Sequence, residues 1–430
     1  MQIPKAILID VIDPRTDEQN AAKRLEELKN LTNTYGGMSV IEIIQKKSVP
    51  DYDTYIGKGK VEEICELAAH RKADILIINN LLKPRQIFEL NEIFRKRKLD
   101  LKTWDRVDLI LKIFDKHAQS TEAKLQIELA GIRHMGPRIF GMGIELSRQA
   151  GAMGLRAGQG ESNIEMMKRH LQAQELSILK KLKHYETINE GHRKRRRRQN
   201  FKTVALVGYT NAGKSSLLNA LTGKGAYVAD ELFATLDTRV GKLYIPEDPG
   251  KDGVFRKGTE ILLSDTIGFI QDLPPSLIQA FKSTLSETVD ADLILHVIDI
   301  SDPDLHEKIK VVEDVLNQIG LSKKPKIYGF NKVDLIAPRS LFEKGIKAKR
   351  LKAGIVEAGE GASELLGWVD KKQKKEAKTK ISGLRKKYAK FSPLFFSAEE
   401  RLNLKKVEEE MKQVVAGYGE EAVFGGPGRI

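Results

Sequence analysis

Eight residues near the middle of the chain form a pattern that can bind phosphate. The letters GYTNAGKS, from Gly208 to Ser215, match G-x-x-x-x-G-K-S and stand between a buried-strand pattern, KTVALV, and a helical pattern. In such a loop backbone N–H groups surround a polyphosphate, Lys214 reaches its terminal phosphates, and the hydroxyl of Ser215 binds Mg²⁺. We therefore expect contacts with a nucleoside triphosphate from Gly208, Tyr209, Thr210, Asn211, Ala212, Gly213, Lys214, Ser215 and Ser216.

A second motif indicates which base the nucleotide carries. The letters NKVD begin 123 residues after Gly208 and follow the strand pattern KIYGF. The carboxylate of Asp334 can accept hydrogen bonds from N1 and the exocyclic amine of guanine, a pair of donors that adenine lacks. Further on, FFSAEE follows another strand pattern, and its Ser-Ala pair could present a backbone N–H to guanine O6 or could cap a helix. The predicted guanine site consists of Asn331, Lys332, Val333, Asp334, Ser397 and Ala398.

Two segments between these motifs are expected to sense the terminal phosphate of GTP. Asp265 ends the strand pattern ILLSD, where it can hold the Mg²⁺ shell through water, and the N–H of Gly268 can meet the γ-phosphate. Thr235, in FATLD, is the candidate second Mg²⁺ ligand beside Ser215. Catalysis is assigned to Lys214, Thr235 and Gly268. Because these contacts need the γ-phosphate, we expect the loops to order with GTP and relax after hydrolysis. The predicted contacts are Phe233, Ala234, Thr235, Leu236, Asp237, Asp265, Thr266, Ile267 and Gly268.

The residue after Gly268 affects the expected rate of hydrolysis. Many GTPases place a glutamine there to orient the attacking water, whereas this chain has Phe269, whose apolar ring cannot do so. We therefore predict slow intrinsic turnover and stimulation by a partner. Asn211 resembles the asparagine with which potassium-stimulated GTPases bind K⁺, although asparagine also suits a tight loop for conformational reasons alone. K⁺ is thus a candidate ion in addition to Mg²⁺.

The elements that carry this site are predicted to form three domains of an α/β protein. From Ala6 to about Ala118 strand and helix patterns alternate, which indicates a parallel α/β domain over residues 1–118. Residues 119–200 are predicted to form a helical coiled-coil hairpin with a glycine-rich loop and a basic end. Residues 201–430 are predicted to form a P-loop GTPase domain with a basic insertion at about 339–390.

The hairpin is predicted from the spacing of its apolar residues. Ser120 or Thr121 can cap a first helix, and seven glycines within Gly136–Gly160 then indicate a mobile loop. Ser162 can cap a second, longer helix that ends in the basic run Arg193–Arg198. A repeat of seven residues on this helix indicates coiled-coil packing against the first. The two apolar seams are Leu125, Leu129 and Ile132 on the first helix and Ile164, Met167, Leu171, Ile178, Leu182 and Tyr185 on the second.

Two basic blocks account for the net charge of +14. Residues 151–200 have a net charge of +7 and residues 339–390 a net charge of +10, which is typical of a nucleic-acid partner, although a solvated linker would explain either block alone. Arg193–Arg198 precede the strand that leads into the phosphate loop, so they lie at its other end, about 20 Å away for six residues. Their anion is therefore expected to be another molecule, and ribosomal RNA is the candidate.

Other features of composition indicate the compartment. Cys65 is the only cysteine, so no intrachain disulfide can form. The sequence contains no apolar run of the roughly 18 residues that span a bilayer, and its N-terminus has no signal-peptide pattern. We expect a cytoplasmic monomer without a membrane span, for which peripheral membrane association stays open.

The order of the motifs resembles that of the HflX family, GTPases of the translation-factor-related class. The resemblance rests on YIGKGKVEEI, AKLQIELA, GYTNAGKSSLLNALT, ELFATLDTR and DTIGFI and covers nearly the whole chain. It implies a guanine-nucleotide switch that binds the large ribosomal subunit and its RNA and splits or rescues ribosomes, with ATP as a candidate ligand of the N-terminal domain. The chain departs from the family at GQGESN, Gly158–Asn163, where G-P-G-E-T-Q is usual. It also has a longer span between NKVD and FFSAEE, which is either a solvated insertion or a second RNA contact.

Two other functions stay open at this point. One is an RNA-binding guanine-nucleotide switch in ribosome assembly, and the other is an ATP-assisted RNA remodeller. Stimulation of GTP turnover by ribosomal subunits would separate the first from a translation factor. ATP and GTP turnover in the fragments 1–200 and 201–430 would separate the second.

Overall fold

The computed structural model describes residues 3–134, 157–199, 201–223, 239–246, 259–266, 268–271, 277, 286–337 and 360–424. The chain forms two compact units, one built mainly from Met1–Glu190 and the other mainly from the residues after them. Each unit has its own sheet, of four strands in the first and six in the second. The predicted α/β class is confirmed, whereas the domain boundaries at 118 and 200 stay predictions.

The first unit is built on a parallel sheet with the strand order β2-β1-β3-β4. Ile7, Leu8 and Ile9 in its inner strand are fully buried, because helices cover both faces of a parallel sheet. This arrangement confirms the parallel α/β organisation predicted for this part of the chain. Its elements are β1 (Lys5–Ile12), α1 (Glu18–Tyr35), β2 (Met38–Lys46), α2 (Lys58–Arg71), β3 (Ile75–Ile78), α3 (Pro84–Lys96), β4 (Lys102–Asp105) and α4 (Arg106–His117).

Two further helices pack together as the apolar spacing predicted. Helix α5 covers residues 121–134, and the Oγ of Ser120 caps it by accepting the N–H of Ala123 at 3.1 Å. Helix α6 spans Ala157–Arg198. The seam between them is apolar and closely packed, as expected for a hairpin. It consists of Leu125, Leu129 and Ile132 on α5 and Ile178, Leu182 and Tyr185 on α6.

Polar contacts at both ends of this seam show that the two helices run antiparallel. Asn189 Nδ2 donates to Oε2 of Glu122, near the start of α5, at 3.1 Å. Arg133, near the end of α5, donates from Nε to Oε1 of Glu175 on α6 at 2.8 Å. Residues early in one helix therefore meet residues late in the other.

The long helix α6 begins earlier than the sequence predicted. Its first residue is Ala157, so Ser162 lies inside the helix instead of capping it, and Gly158 and Gly160 are helical. Glycine lowers helix stability by about 1 kcal/mol per residue relative to alanine, which is a cost and not a prohibition. The prediction that glycine density excludes regular structure up to Gly160 is therefore wrong at its C-terminal end. Residues 135–156, which include most of the glycine-rich stretch, lie outside the described residues.

A polar cluster joins the end of α5 to the start of α4. The Nε2 atom of His134 lies 3.3 Å from Oδ1 of Asp105 and 3.4 Å from Oδ1 of Asp108. Asp105 also caps α4 by accepting the N–H of Asp108 at 2.9 Å. Nothing in the sequence pattern indicated this contact, because the histidine is separated from both aspartates by a helix and a turn.

The second unit is a six-stranded sheet in the order β10-β9-β8-β5-β7-β6, parallel except for β6. The phosphate-loop strand β5 is thus an inner strand between β7 and β8. The elements are β5 (Lys202–Val207), α7 (Lys214–Thr222), β6 (Arg239–Ile245), β7 (Thr259–Asp265), α8 (Ser286–Asp290), β8 (Leu293–Asp299), α9 (Leu305–Gln318), β9 (Lys326–Asn331), α10 (Glu360–Lys387), β10 (Leu394–Phe395) and α11 (Leu404–Phe424).

Apolar residues cover both faces of this sheet. One core contains Leu217 of α7 and Met411 of α11 together with alternate residues of β5, β7 and β8. The other contains Ile309 of α9 and Leu384 of α10 together with Tyr328 and Phe330 of β9. Because side chains alternate along a strand, the two cores lie on opposite faces. Helices α7 and α11 therefore cover one face, and α9 and α10 cover the other.

The seam of the hairpin provides a test of the first unit. Leu129 is buried in it, so Leu129→Ala should lower the free energy of unfolding by about 2–5 kcal/mol through lost packing. Urea unfolding followed by circular dichroism would measure this change. GDP stabilises only the unit that binds it, so the helical transition that GDP does not shift is assigned to the first unit. Leu176→Ala is the matched control, because Leu176 lies on α6 with its side chain exposed. Equal urea midpoints for the two variants would contradict the seam.

Candidate nucleotide-binding site

The phosphate loop lies at the carboxyl end of β5, where it is packed tightly against neighbouring backbone. A Cβ on Gly208 would lie 2.2 Å from the carbonyl oxygen of Val297, and one on Gly213 would lie 2.2 Å from Nδ2 of Asn331. Gly213 also has a φ of +86°, which glycine adopts without strain. These two glycines of the motif are therefore required by space and, at Gly213, also by backbone conformation.

Lys214 is buried at the start of α7, and its ammonium group points back into the loop. Nζ donates to the carbonyl oxygens of Gly208 at 3.2 Å and Tyr209 at 2.9 Å. Burial lowers the pKa of Lys214 to about 8, against the opposing effect of the Asp265 carboxylate. The cation thus lies inside the loop, where an incoming phosphate would offer it stronger acceptors than two carbonyl groups.

A serine and an aspartate meet beside this lysine. The hydroxyl of Ser215 donates to Oδ2 of Asp265 at 2.6 Å, and Asp265 is fully buried at the end of β7. The next residue, Thr266, donates its hydroxyl to the carbonyl oxygen of Leu206 at 2.7 Å, which fixes the segment to β5. Hydroxyl and carboxylate oxygens are the ligands that Mg²⁺ prefers, so this pair fits the predicted metal shell.

The segment after Asp265 is paired with the phosphate loop through its backbone. Thr210 donates its N–H to the carbonyl oxygen of Phe269 at 2.8 Å, and Phe269 donates to the carbonyl oxygen of Gly208 at 3.1 Å. A Cβ on Gly268 would lie 2.7 Å from Cγ2 of Thr210 and 3.0 Å from Nζ of Lys214. Gly268 is therefore next to the buried cation, as its predicted role at the γ-phosphate requires.

The base-recognition motif touches the same loop through Asn331. Its Nδ2 donates to the carbonyl oxygen of Ala212 at 2.9 Å, and its Oδ1 accepts the N–H of Ala398 at 2.9 Å. This one amide thus holds the phosphate loop and the Ser-Ala segment together. Val333 adds a backbone bond, donating to the carbonyl oxygen of Phe396 at 3.3 Å.

The two charged residues of NKVD have different environments. Lys332 has a φ of +64°, and its Nζ lies 2.8 Å from Oδ2 of Asp299 at the end of β8, which anchors the turn. The Oδ1 atom of Asp334 is buried and accepts no hydrogen bond from the described residues. A buried carboxylate oxygen without a donor is costly, and the N1–H and amine of guanine would satisfy it.

The Ser-Ala pair is occupied by internal hydrogen bonds. Ser397 donates its N–H to the carbonyl oxygen of Leu402 at 3.2 Å, and the N–H of Ala398 donates to Asn331 as described above. The Oγ of Ser397 accepts the N–H of Glu400 at 3.1 Å, but residues 398–401 form a turn and the next helix begins only at Leu404, so this bond closes a turn and does not cap a helix. A contact from this pair to guanine O6 stays a prediction.

The structure brings most, but not all, of the predicted residues together. Gly208–Ser216 lie together with Asp265, Thr266 and Gly268, and Asn331 contacts this group directly, so its binding of phosphate is possible in space and stays a prediction. Phe233, Ala234, Thr235, Leu236, Asp237 and Ile267 lie outside the described residues, so the second Mg²⁺ ligand stays a prediction. Asn211 adopts a left-handed φ of +60°, which the tight-loop explanation accounts for, and K⁺ binding stays a prediction too.

Two contributions to the site were not predicted from the sequence. Asp299 orients Lys332, and its position at the carboxyl end of a parallel strand was the signal that could have identified it. The hydroxyl of Tyr209 accepts the N–H of Gln271 at 2.8 Å, and Lys308 Nζ lies 4.9 Å from the centre of the Tyr209 ring. No spacing rule indicates either Tyr209 contact, because both depend on how the loops fold.

Two features of the second unit are typical of P-loop GTPases. A phosphate loop with a lysine follows an inner parallel strand, and a carboxylate that can discriminate guanine follows another strand of the same sheet. We assign the second unit to that class. Known proteins narrow the assignment. Family models described as "GTP-binding GTPase N-terminal", "GTP-binding GTPase Middle Region" and "50S ribosome-binding GTPase" match residues 22–115, 117–196 and 203–332. The chain belongs to the HflX family, and it binds and hydrolyses GTP.

Two HflX relatives support the family at high coverage, and a solved structure is similar to the chain at lower identity. The GTPase HflX of Caldanaerobacter subterraneus subsp. tengcongensis is 45% identical over 332 residues, which cover 77% of this chain and 73% of that protein. The GTPase HflX of Escherichia coli is 37% identical over 312 residues, which cover 73% and 70%. A solved GTP-binding protein from Sulfolobus solfataricus in complex with GDP is 24% identical, with a TM-score of 0.43 and coverage of 97% and 100%.

The lowered pKa of Lys214 predicts how GTP affinity depends on pH. Phosphate binding favours the charged lysine, so affinity should be constant below the free-state pKa of about 8 and should fall as the pH rises above it. Between pH 7 and pH 9 the dissociation constant should rise about tenfold. Titration with a fluorescent GTP analogue would measure this. Lys214→Arg is the control, because arginine stays charged, so it should show a flatter profile. A wild-type profile as flat as that of the variant would contradict the prediction.

The buried oxygen of Asp334 predicts the base preference. Asp334→Asn should shift preference from guanosine to xanthosine nucleotides, because xanthine has a carbonyl group where guanine has an amine. Competition between GDP and xanthosine diphosphate for the variant would measure this. Asp304→Asn, at the start of α9, removes a carboxylate outside the predicted base site and should keep the preference for GDP. If Asp334→Asn still preferred GDP, Asp334 would not read the base.

Proposed function

We propose that this GTPase associates with the large ribosomal subunit and uses its GTP cycle to split or rescue ribosomes. The observation that carries the proposal is the basic end of α6, which belongs to a surface remote from the nucleotide. The description "50S ribosome-binding GTPase" for the model that matches residues 203–332 points in the same direction. Ribosomal RNA is the anion that this combination favours.

The geometry of β5 separates the basic end from the GTP phosphates. Lys194, Arg195 and Arg198 are exposed in the last turns of α6. Strand β5 then begins at Lys202 and reaches the phosphate loop only after six residues, a distance of about 20 Å. A single nucleotide cannot span that distance and still lie in the loop. The basic end is therefore available to a second, larger anion.

The hairpin is the proposed arm of this interaction. Helices α5 and α6 support each other along the seam of Leu129 and Ile178, and they lead into residues 135–156. The sequence there places Arg138, Arg148 and Arg156 among glycines, a composition that can contact RNA phosphates and stack on bases. We propose that this segment makes the contacts by which the ribosomal subunits are separated.

The proposed GTP cycle uses residues of the phosphate site. Lys214 would exchange its two carbonyl acceptors for the β- and γ-phosphates, and the N–H of Gly268 would meet the γ-phosphate. Mg²⁺, held by Ser215 with Asp265 and Thr235 around it, would neutralise part of the phosphate charge when bound. Phe269 is 3% exposed and holds no polar group toward the attacking water. Its backbone N–H and carbonyl are already paired with the loop, so Phe269 has no group left to orient the water. We therefore propose that the ribosome stimulates hydrolysis.

The N-terminal unit offers weaker support for ATP as an additional ligand. Gly57 lies directly before α2, but its N–H donates to Oε1 of Gln45 at 3.2 Å. No described helix is both long and apolar enough to cross a membrane. A cytoplasmic monomer stays our proposal on the grounds of composition given above. No observation favours the ATP-assisted remodeller over the ribosome-associated GTPase.

Sedimentation and light scattering test the proposal together. With a non-hydrolysable GTP analogue the chain should sediment with large subunits and lower the scattering of intact ribosomes as they split. Lys214→Ala should abolish the dependence on nucleotide, because the phosphates lose the buried cation of the loop.

A loop replacement separates docking from splitting. Exchanging residues 138–158 for a glycine–serine linker of equal length should leave GTP affinity intact and should weaken splitting much more than docking. Failure of the wild-type chain to sediment with large subunits would refute ribosome association. Wild-type splitting by the linker variant would refute the role of the arm.

A further inference from the structure

The C-terminal half of α10 has one apolar side, which is packed on the GTPase domain. Ala377 and Leu384 are buried and Ile381 is half-buried, at the spacing that places residues on one face of a helix. Leu384 shares a core with Val333 of the NKVD motif, and Ile381 packs against that core. This half of the helix is therefore held against the elements that carry the guanine motif.

The remaining surface of the same segment is strongly basic. Residues 374–390 contain eight lysines and arginines and one glutamate, a net charge of +7. Among the residues that the structure describes, no carboxylate forms an ion pair with the six exposed cations of this surface. We call these six cations the basic face, which consists of Lys375, Lys378, Arg385, Lys386 and Lys387 on α10 and of Lys390 just after it.

Like charges that lie close together on one helix without opposite charges beside them destabilise that helix. The basic face therefore lowers the stability of α10 in the free protein. Three of its cations also lie near aromatic rings. Nζ of Lys387 is 5.6 Å from the ring centre of Tyr388. The guanidinium of Arg385 is 5.5 Å from the ring centre of Phe395, and Nζ of Lys390 is 6.0 Å from that of Phe391. Such contacts restrict a long side chain before a partner arrives, so less entropy is lost on binding.

The chemistry of the basic face favours a nucleic acid over a lipid surface. A membrane-bound amphipathic helix inserts apolar side chains, but the described residues from 374 to 390 expose no large apolar side chain. Their apolar side is already covered by the domain. A phosphodiester backbone needs only cations at intervals, and Lys375 and Lys386 are about 16 Å apart along the helix axis, which spans several phosphates.

We propose that the basic face of α10 binds the phosphate backbone of double-stranded RNA, without reading its sequence. A helix with several exposed cations matches the way proteins bind A-form RNA, by shape and by phosphate contacts across the groove. Binding through this surface does not require the proposed ribosome association, because any structured RNA presents the same backbone.

The test measures binding of a short mixed-sequence RNA hairpin to the full chain by fluorescence anisotropy at several salt concentrations. The test variant combines Lys375→Gln, Lys378→Gln and Lys386→Gln. Loss of three phosphate contacts should reduce the slope of log affinity against log salt by about 2 to 3, and should weaken binding at least about tenfold near physiological salt. GDP affinity should not change, which shows that the domain is folded.

A control variant separates position from overall charge. It combines Lys323→Gln, Lys405→Gln and Lys406→Gln, which make the same change of charge at exposed lysines outside the basic face. Lys405 and Lys406 lie on α11, which packs on the other face of the sheet. This variant should bind the RNA hairpin within about twofold of the wild type, since non-contacting charges add little at physiological salt.

Three results would overturn the proposal. The first is an unchanged salt slope in the test variant, and the second is an equal loss of binding in both variants. The third is binding of anionic phospholipid vesicles, but not of RNA, through the basic face. Binding of the RNA hairpin that depends on the basic face supports the proposal whether or not the chain sediments with ribosomes. A failure of ribosome association is therefore recognised separately.

Discussion

Close approach of backbone segments around the phosphate loop is the constraint on which the nucleotide site depends. Strand β8 comes so near the loop that a single carbon on Gly208 would overlap the carbonyl oxygen of Val297. The segment at Gly268 approaches Thr210 in the same way. This spacing allows Ser215 and Asp265 to share a hydrogen bond and Asn331 to reach the loop. The glycines therefore act first on the packing of the domain and only then on the phosphate.

Burial of Lys214 connects this packing to electrostatics. The same closeness that excludes side chains also excludes water, so the charged form of the lysine is stabilised mainly by two carbonyl groups and by the nearby Asp265. A polyphosphate replaces those neutral acceptors by charged ones. The energy of binding at this position therefore comes partly from relieving an unfavourable environment, and not only from new contacts.

The parts of the site that the sequence predicted are those fixed by local motifs. The loop from Gly208 to Ser215, the aspartate that ends β7 and the carboxylate of NKVD each have a role set by a few neighbouring residues. The contacts that it missed join segments far apart in the chain, such as Lys332 with Asp299 and His134 with Asp105. Such pairs follow from strand order and helix packing, which no short spacing encodes.

The fold shows the same division between local and distant information. Alternating patterns predicted the parallel sheet of the first unit, and apolar spacing predicted the seam between α5 and α6. The start of α6 was predicted six residues too late, because a serine cap and two glycines were given more weight than the surrounding helix. The antiparallel direction of β6 was not predicted, since a strand pattern has no direction.

The amide of Asn331 has a further consequence for the dynamics of the domain. It accepts the N–H of Ala398, 67 residues away, and donates to Ala212, 119 residues away. An amide hydrogen exchanges with solvent only when its bond opens. Exchange at Ala398 should therefore report loosening of a distant loop, and bound nucleotide should slow it. One amide in the C-terminal part of the chain can thus serve as a probe of whether the phosphate loop is closed.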